Sequence, residues 1–94
     1  MKKTLIVTAT LNEVQSLQRL WERLSEVIPD SDFLVVDDGS TDGTLDVLDT
    51  LESSGRVFSL RRSQKYGVGK AFFDAIQWGV SRRYEFILTL DADG

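Results

Sequence analysis

Cysteine and histidine are both absent from the 94 residues of this sequence. Without cysteine there is no disulfide framework, no thiolate nucleophile and no sulfur-bound metal. Without histidine there is no imidazole base, no Ser-His triad and no ordinary zinc site. Chemistry is left to carboxylates, hydroxyls and a few lysines and arginines, so any metal would be a hard cation held by oxygen, Mg2+ or Mn2+. A basic excess is missing too. With 11 Lys and Arg against 15 Asp and Glu, the net charge of −4 argues against nucleic acid or an anionic membrane as partner. No apolar run is long enough to span a bilayer. Lys2 and Lys3 lead directly into a strand pattern rather than a leader, so a cytoplasmic chain is expected.

What is present alternates regularly. "TLIVTA" (4–9) is a continuous β-branched run and predicts a buried strand. Asn12, with Gln15 three residues on, predicts a capping box for the following helix. In that helix Val14, Leu17, Leu20, Trp21, Leu24 and Val27 share a face, and Pro29 ends it. "FLVV" (33–36) predicts a second strand. "STDGTLDVLDTLESSG" supplies capping hydroxyls, Leu45, Leu48 and Leu51 on one helical face, and Gly55 as a stop. "VFSL" (57–60) predicts a third strand, and Val68 to Arg82 a third helix with Ala71, Phe72, Ala75, Ile76 and Gly79 on one side. "EFILTL" (85–90) predicts the fourth strand. The order β-α-β-α-β-α-β gives an α/β, Rossmann-like parallel sheet with right-handed crossovers, and continuous apolar strands fit a sheet covered on both faces.

Ligands of such sheets bind beyond the carboxyl ends of the strands. Here those ends are polar: Thr10, Asn12 and Glu13 after strand one, Asp37 and Asp38 with "GSTDGT" after strand two, Asp91 and Asp93 after strand four. Acids gathered on one edge repel unless a cation or ligand donors compensate. Asp37, Asp38 and Ser40 are also ordinary turn and cap residues, yet one cap needs only one carboxylate. A bare D-x-D is common; its place after a buried strand gives it weight. "KYGVGK" (65–70) lacks Walker spacing, and Gly67 and Gly69 fit a flexible start to the third helix. Arg61, Arg62, Lys65 and Lys70 read as a solvated loop, and Trp21 and Trp78 as core or interface aromatics.

With these residues assembled, the sequence resembles the family 2 glycosyltransferases of the GT-A fold. "LNE", "LVVDDGSTDGT", "GVGKA" and "LTLDADG" match that family's landmarks in order. Within it, the chain is most similar to the polyprenyl-phosphate sugar transferases of the dolichyl-phosphate mannose synthase type. The resemblance implies the N-terminal half of a GT-A fold, with residues 1–94 as the nucleotide-sugar-binding part of a longer catalytic domain. Thr10 and Glu13 would line the nucleotide pocket. Asp38 would contact base or ribose, with Asp37 bracing the turn. Asp91 and Asp93 would hold Mg2+ or Mn2+, one of them directly and the other through water or against the ribose. The implied partners are a GDP- or UDP-linked sugar and a lipid-phosphate acceptor, with membrane association belonging to a full-length enzyme. No residue is assigned as general base.

Departures from the family bear on specificity. "ATLNE" stands where "PTYNE" is usual, so Ala9 replaces a stiffening proline and Leu11 an aromatic near the base. Asp74 falls where the family often has glycine. An uncovered sheet edge would favour self-association into a homo-oligomer. Two other readings stand beside this one. A receiver-type phosphoacceptor domain would carry its acid pair after strand one, whereas here the pair follows strand two. A non-catalytic or degenerate nucleotide-binding or self-associating module would bind no donor productively.

Overall fold

The computed structural model describes residues 4–62 and 68–91. The elements run β1 (Thr4–Thr10), α1 (Val14–Val27), β2 (Ser31–Asp37), α2 (Thr44–Glu52), β3 (Val57–Arg61), α3 (Val68–Ser81) and β4 (Phe86–Asp91). Strands one and two are longer than their apolar runs predict, because ladder pairing with neighbours carries Thr10, Ser31 and Asp37 into the sheet. All pairings are parallel, in the order β3-β2-β1-β4. The chain steps outward from β1 to β3 and then crosses back, so strand order reverses between β1 and β4.

Period-two alternation divides the core into two layers. Ile6, Phe33, Val35 and Val57 point to one face and pack against Leu17, Trp21 and Leu24 of α1 and Leu48 of α2. Leu5, Val7, Leu34 and Val36 point to the other and meet Ala71 and Ala75 of α3, with Tyr84 beyond its end. The expected Leu45, Leu48 and Leu51 face is present. Gly79 is placed by contact: a Cβ there would sit 2.9 Å from both Ile87 Cδ1 and Leu5 Cδ2, so glycine lets α3 lie close on the sheet. Trp21 is a core residue stacked on Phe33, with ring centroids 5.8 Å apart.

Two expectations are corrected. Asn12 does not cap α1. It adopts a left-handed backbone (φ 54°), and its Oδ1 accepts the Thr41 N–H at 2.7 Å instead, tying two loops together. Helix α1 begins after Glu13, which makes no side-chain cap bond, and Asp42 from across the loop accepts the Val14 N–H. Ile76 is exposed rather than packed, and with Phe73 and Val80 it forms an outward stripe on α3. On the edge strand β4, Phe86, Leu88 and Leu90 alternate on the same face of the sheet as Ile6, which α1 and α2 cover farther in, and they stay exposed. No helix among the described residues is long and apolar enough to cross a membrane.

Toward the amino ends of the strands, Tyr84 donates its hydroxyl to Asp32 at 2.6 Å, with both side chains buried. Burial, then the bond to Asp32, pushes the Tyr84 phenol above its ordinary range. A raised phenol pKa means stability that is complete below the unfolded value near 10 and is lost as pH rises beyond it. Tyr84→Phe is expected to cost about 2 kcal/mol at neutral pH. In urea titrations the gap between wild type and variant should narrow above about pH 10. A gap that stays constant to pH 11 or so would dismiss this bond as the cause.

Candidate functional site

The carboxyl edge of the sheet is where the expected residues gather. Register sets Thr10 beside Asp37, and Ala9 between Val36 and Asp91. Thr10, the Asp37–Asp38 pair and Asp91 therefore end three neighbouring strands, and Thr10 and Asp91 flank the point where strand order reverses. Thr8, one turn of the pleat below, donates its hydroxyl to the Leu90 carbonyl at 2.8 Å and locks β1 to β4 there. The Thr10 hydroxyl is buried and has no hydrogen-bond partner among the described residues. Glu13 stands at the start of α1. Asp93, Lys65 and Gly67 lie outside the described residues, and Gly69 falls in the first turn of α3 with open space around it.

The two aspartates at the end of β2 do different work. Asp37 is buried and turns inward on its own loop. Its Oδ2 accepts the N–H groups of Gly39 at 3.0 Å and Ser40 at 2.9 Å, and its Oδ1 accepts the Ser40 hydroxyl. Ser40 Oγ in turn accepts the Asn12 N–H at 2.8 Å. This is the Asx-type turn that aspartate forms locally, extended by one link to the loop after β1. Asp38, whose N–H donates to the Thr10 carbonyl at 3.2 Å, points its carboxylate elsewhere: Oδ1 accepts Arg62 Nε at 2.7 Å. Farther along, Asp42 accepts the Thr44 hydroxyl and N–H. The Thr44 hydroxyl, with backbone donors from Thr44 and Val14, holds the Asp42 carboxyl below the usual carboxylate range.

Arg62 is the main residue that the sequence reading misplaced. It is not a solvated loop cation. Its guanidinium is nearly buried between Asp38 and Asp74, with Nη1 reaching Asp74 Oδ2 at 3.0 Å. Its backbone N–H donates to the Asp37 carbonyl at 2.8 Å, continuing the sheet past β3. Lys70 pairs with the other oxygen of Asp74 at 3.2 Å. Arg61, by contrast, is a surface ion pair with Asp49 and Glu52. A signal was available in the chain. Arg62 directly follows an apolar strand, so a parallel sheet carries it to the same edge as the acids. Trp78 is half-buried, beside Phe58 and Tyr84 and under the Arg82 guanidinium, 3.9 Å from its ring.

Among the described residues no three acidic groups converge closely enough to hold a cation by themselves. The donor set at the edge is nonetheless all oxygen, which suits Mg2+ or Mn2+ and not a softer metal.

Comparison with known proteins gives a consistent result. The sequence profile of "Glycosyl transferase family 2" matches residues 5–94. The chain is 41% identical to the undecaprenyl-phosphate mannosyltransferase of Micrococcus luteus over 98% of its own length and 38% of that protein's. It is 37% identical to the polyprenol monophosphomannose synthase of Mycolicibacterium smegmatis over 99% of its length and 36% of that protein's. It thus spans less than two-fifths of these curated relatives. Among solved structures it is similar to the mannosyltransferase PcManGT from Pyrobaculum calidifontis in complex with GDP-Man and Mn2+, with TM-score 0.82 and 20% identity over 97% of this chain and 27% of that one. It is also similar to S. aureus TarS, with TM-score 0.81 and 23% identity over 97% of this chain and 16% of that one. These two likenesses give the fold, a GT-A arrangement of parallel strands and alternating helices. By its sequence, the chain belongs to glycosyl transferase family 2.

Proposed function

We propose that residues 1–94 form the nucleotide-sugar-binding part of an inverting, divalent-metal-dependent glycosyltransferase whose acceptor is a lipid phosphate. The observation that carries this reading is the placement of Thr10, Asp38 and Asp91 on one edge, around the reversal of strand order between β1 and β4. Asp91 is level with Ala9 and Val36, two strands from β2, and Asp38 lies two residues beyond Val36. At about 4.8 Å per strand and 3.3 Å per residue, their backbones stand roughly 12 Å apart. That distance suits a nucleoside diphosphate laid across the edge, with its nucleoside at Asp38 and its phosphates toward Asp91.

Each residue then has a part. The Thr10 hydroxyl, without a partner among the described residues, is available to a ligand acceptor or donor, and Glu13 borders the pocket at the start of α1. Asp37 holds the turn, and Asp38 accepts a donor of base or ribose. Asp91 and Asp93 would hold the cation together with diphosphate oxygens. When bound, such a cation offsets the phosphate charge and stabilises the departing diphosphate as a Lewis acid. In the full enzyme the acceptor oxygen would form a bond to the anomeric carbon as the bond to the nucleotide diphosphate breaks, with inversion. A lipid phosphate is already ionised at neutral pH, so it needs little help from a base. The names of the relatives, both acting on polyprenyl phosphates, support that acceptor class, and the GDP-Man complex of PcManGT supports GDP over UDP.

Calorimetric titration tests the reading. GDP is expected to bind with Mn2+ present and much more weakly without it, and UDP more weakly than GDP. Asp93→Ala should remove the metal-dependent part of the affinity, about tenfold or more for a lost charged ligand. If a folded chain binds neither nucleotide with or without Mn2+, the non-catalytic reading takes its place.

A further inference from the structure

Arg62 occupies a position that stability alone does not explain. Only 10% of its side chain is exposed, and Asp38 beside it is at 8%. Pairing charges away from water gains little net stability, because desolvation consumes most of the attraction. A surface pair such as Arg61 with Asp49 would have served the loop equally well. What the buried pair does is fix an orientation. Arginine's planar fork sets two donors in a rigid geometry. Here Nε takes Asp38 Oδ1 at the end of β2, while Nη1 takes Asp74 Oδ2 on α3. Lys70 holds the other oxygen of Asp74. A carboxylate on a loop is thereby fastened to a helix. Asp38 Oδ2 accepts no hydrogen bond among the described residues, so one oxygen is committed and one remains.

We propose that Arg62, braced by Asp74, is the positioning residue for nucleoside recognition: it fixes Asp38 so that its second carboxylate oxygen accepts one N–H or O–H donor from the base or ribose of a bound nucleotide. The inference rests on the donor-binding reading above and adds to it two residues and a division of labour. Asp37 holds the turn from within, and Arg62 and Asp74 aim its neighbour from outside. The strut includes Asp74, where glycine would remove a carboxylate that holds Nη1 of Arg62.

The test uses the whole chain. GDP with Mn2+ is titrated calorimetrically into wild type, Arg62→Gln, Arg62→Lys and Asp74→Asn at neutral pH, after circular dichroism has established folding. Arg62→Gln is expected to weaken GDP about tenfold. Arg62→Lys, which keeps the charge without the fork, should fall between wild type and Arg62→Gln. Asp74→Asn should cost less, about threefold, since it weakens one of two struts. The ratio of affinities with and without Mn2+ should stay at the wild-type value in every variant. A folded Arg62→Gln that binds as wild type refutes the proposal, as does a loss that lysine fails to rescue even in part. Should Arg62→Gln not fold, Arg62→Lys and Asp74→Asn at wild-type affinity refute it equally. Wild type that binds no nucleotide overturns the donor-binding reading and this inference together, and that result is recognised without any variant.

Discussion

Phe33→Ala is expected to remove about 3–5 kcal/mol of folding stability, the range for emptying a fully buried aromatic site. A domain of this length holds roughly 5–14 kcal/mol in total at about 0.05–0.15 kcal/mol per residue. The chain should sit toward the lower end, because Phe86, Leu88 and Leu90 stay exposed on β4 and contribute little burial. One substitution would then take half or more of what holds the fold. The site offers little relief by collapse. Phe33 is fully buried on β2, flanked by β1 and β3, and its ring stacks on Trp21 at an interplanar angle of 7°. Around it stand Leu17, Leu24, Leu48 and Val57, all anchored on other elements. Urea unfolding followed by tryptophan fluorescence measures the loss, with Trp21 as the reporter closest to the cavity. Phe33→Leu, which refills most of the volume, should cost well under half as much. Val27→Ala, on a side chain 73% exposed, should fall within about 0.5 kcal/mol of wild type. If Phe33→Ala were as mild as Val27→Ala, the layer between the sheet and α1 would not be the close-packed core described above.

The same contrast explains what could be read from the chain beforehand. Continuous apolar runs, helical spacing and the breakers at Pro29 and Gly55 are local signals, and they gave the elements, their order and the acidic edge. The positions that went astray are those whose partners are distant in sequence. Asn12 looks like a cap because its local spacing to Gln15 fits one, but its oxygen is taken by the Thr41 N–H, 29 residues away. Arg62 looks solvated because it stands in a charged loop, but its partners lie 24 and 12 residues away. Ile76 follows the apolar spacing of α3, yet only the stripe of Ala71, Ala75 and Gly79 is narrow enough to lie on the sheet. A local pattern shows which side chains point together. It does not show how close the facing surface comes. Thr10 and Asp38 were legible as residues of one sheet edge because strand ends in a parallel sheet converge by topology, whereas the ion pair on Asp38 depends on three-dimensional packing.

Asp37→Ala is expected to have the second largest effect, and it reaches both stability and ligand binding. Asp37 is a buried carboxylate with three donors on it: the N–H groups of Gly39 and Ser40 and the Ser40 hydroxyl. Through Ser40 Oγ it reaches the Asn12 N–H, which fastens the loop after β1 to the loop after β2 alongside the Asn12–Thr41 bond. Bonds to an ionised acceptor are each worth about 1.5–3 kcal/mol, but they are not additive within one network. Gly39 is exposed and its N–H can turn to water, so a net cost near 3 kcal/mol is expected rather than the sum. Asp37→Asn should lose about half as much, since its remaining oxygen still accepts the two N–H groups while its amide faces the Ser40 hydroxyl as a donor. At temperatures where the alanine variant stays folded, GDP affinity with Mn2+ should still drop about tenfold, because the turn that carries Asp38 is no longer fixed. Gly39 already supplies the left-handed backbone the turn needs, with φ at 100°. If glycine alone sufficed, Asp37→Ala would unfold at the wild-type urea midpoint, and the carboxylate would then be available to the ligand instead of the loop. A lowered midpoint with weakened GDP binding makes Asp37 the structural member of the pair. The division between the adjacent aspartates, one for the turn and one for the nucleoside, then follows from which donors each carboxylate already holds.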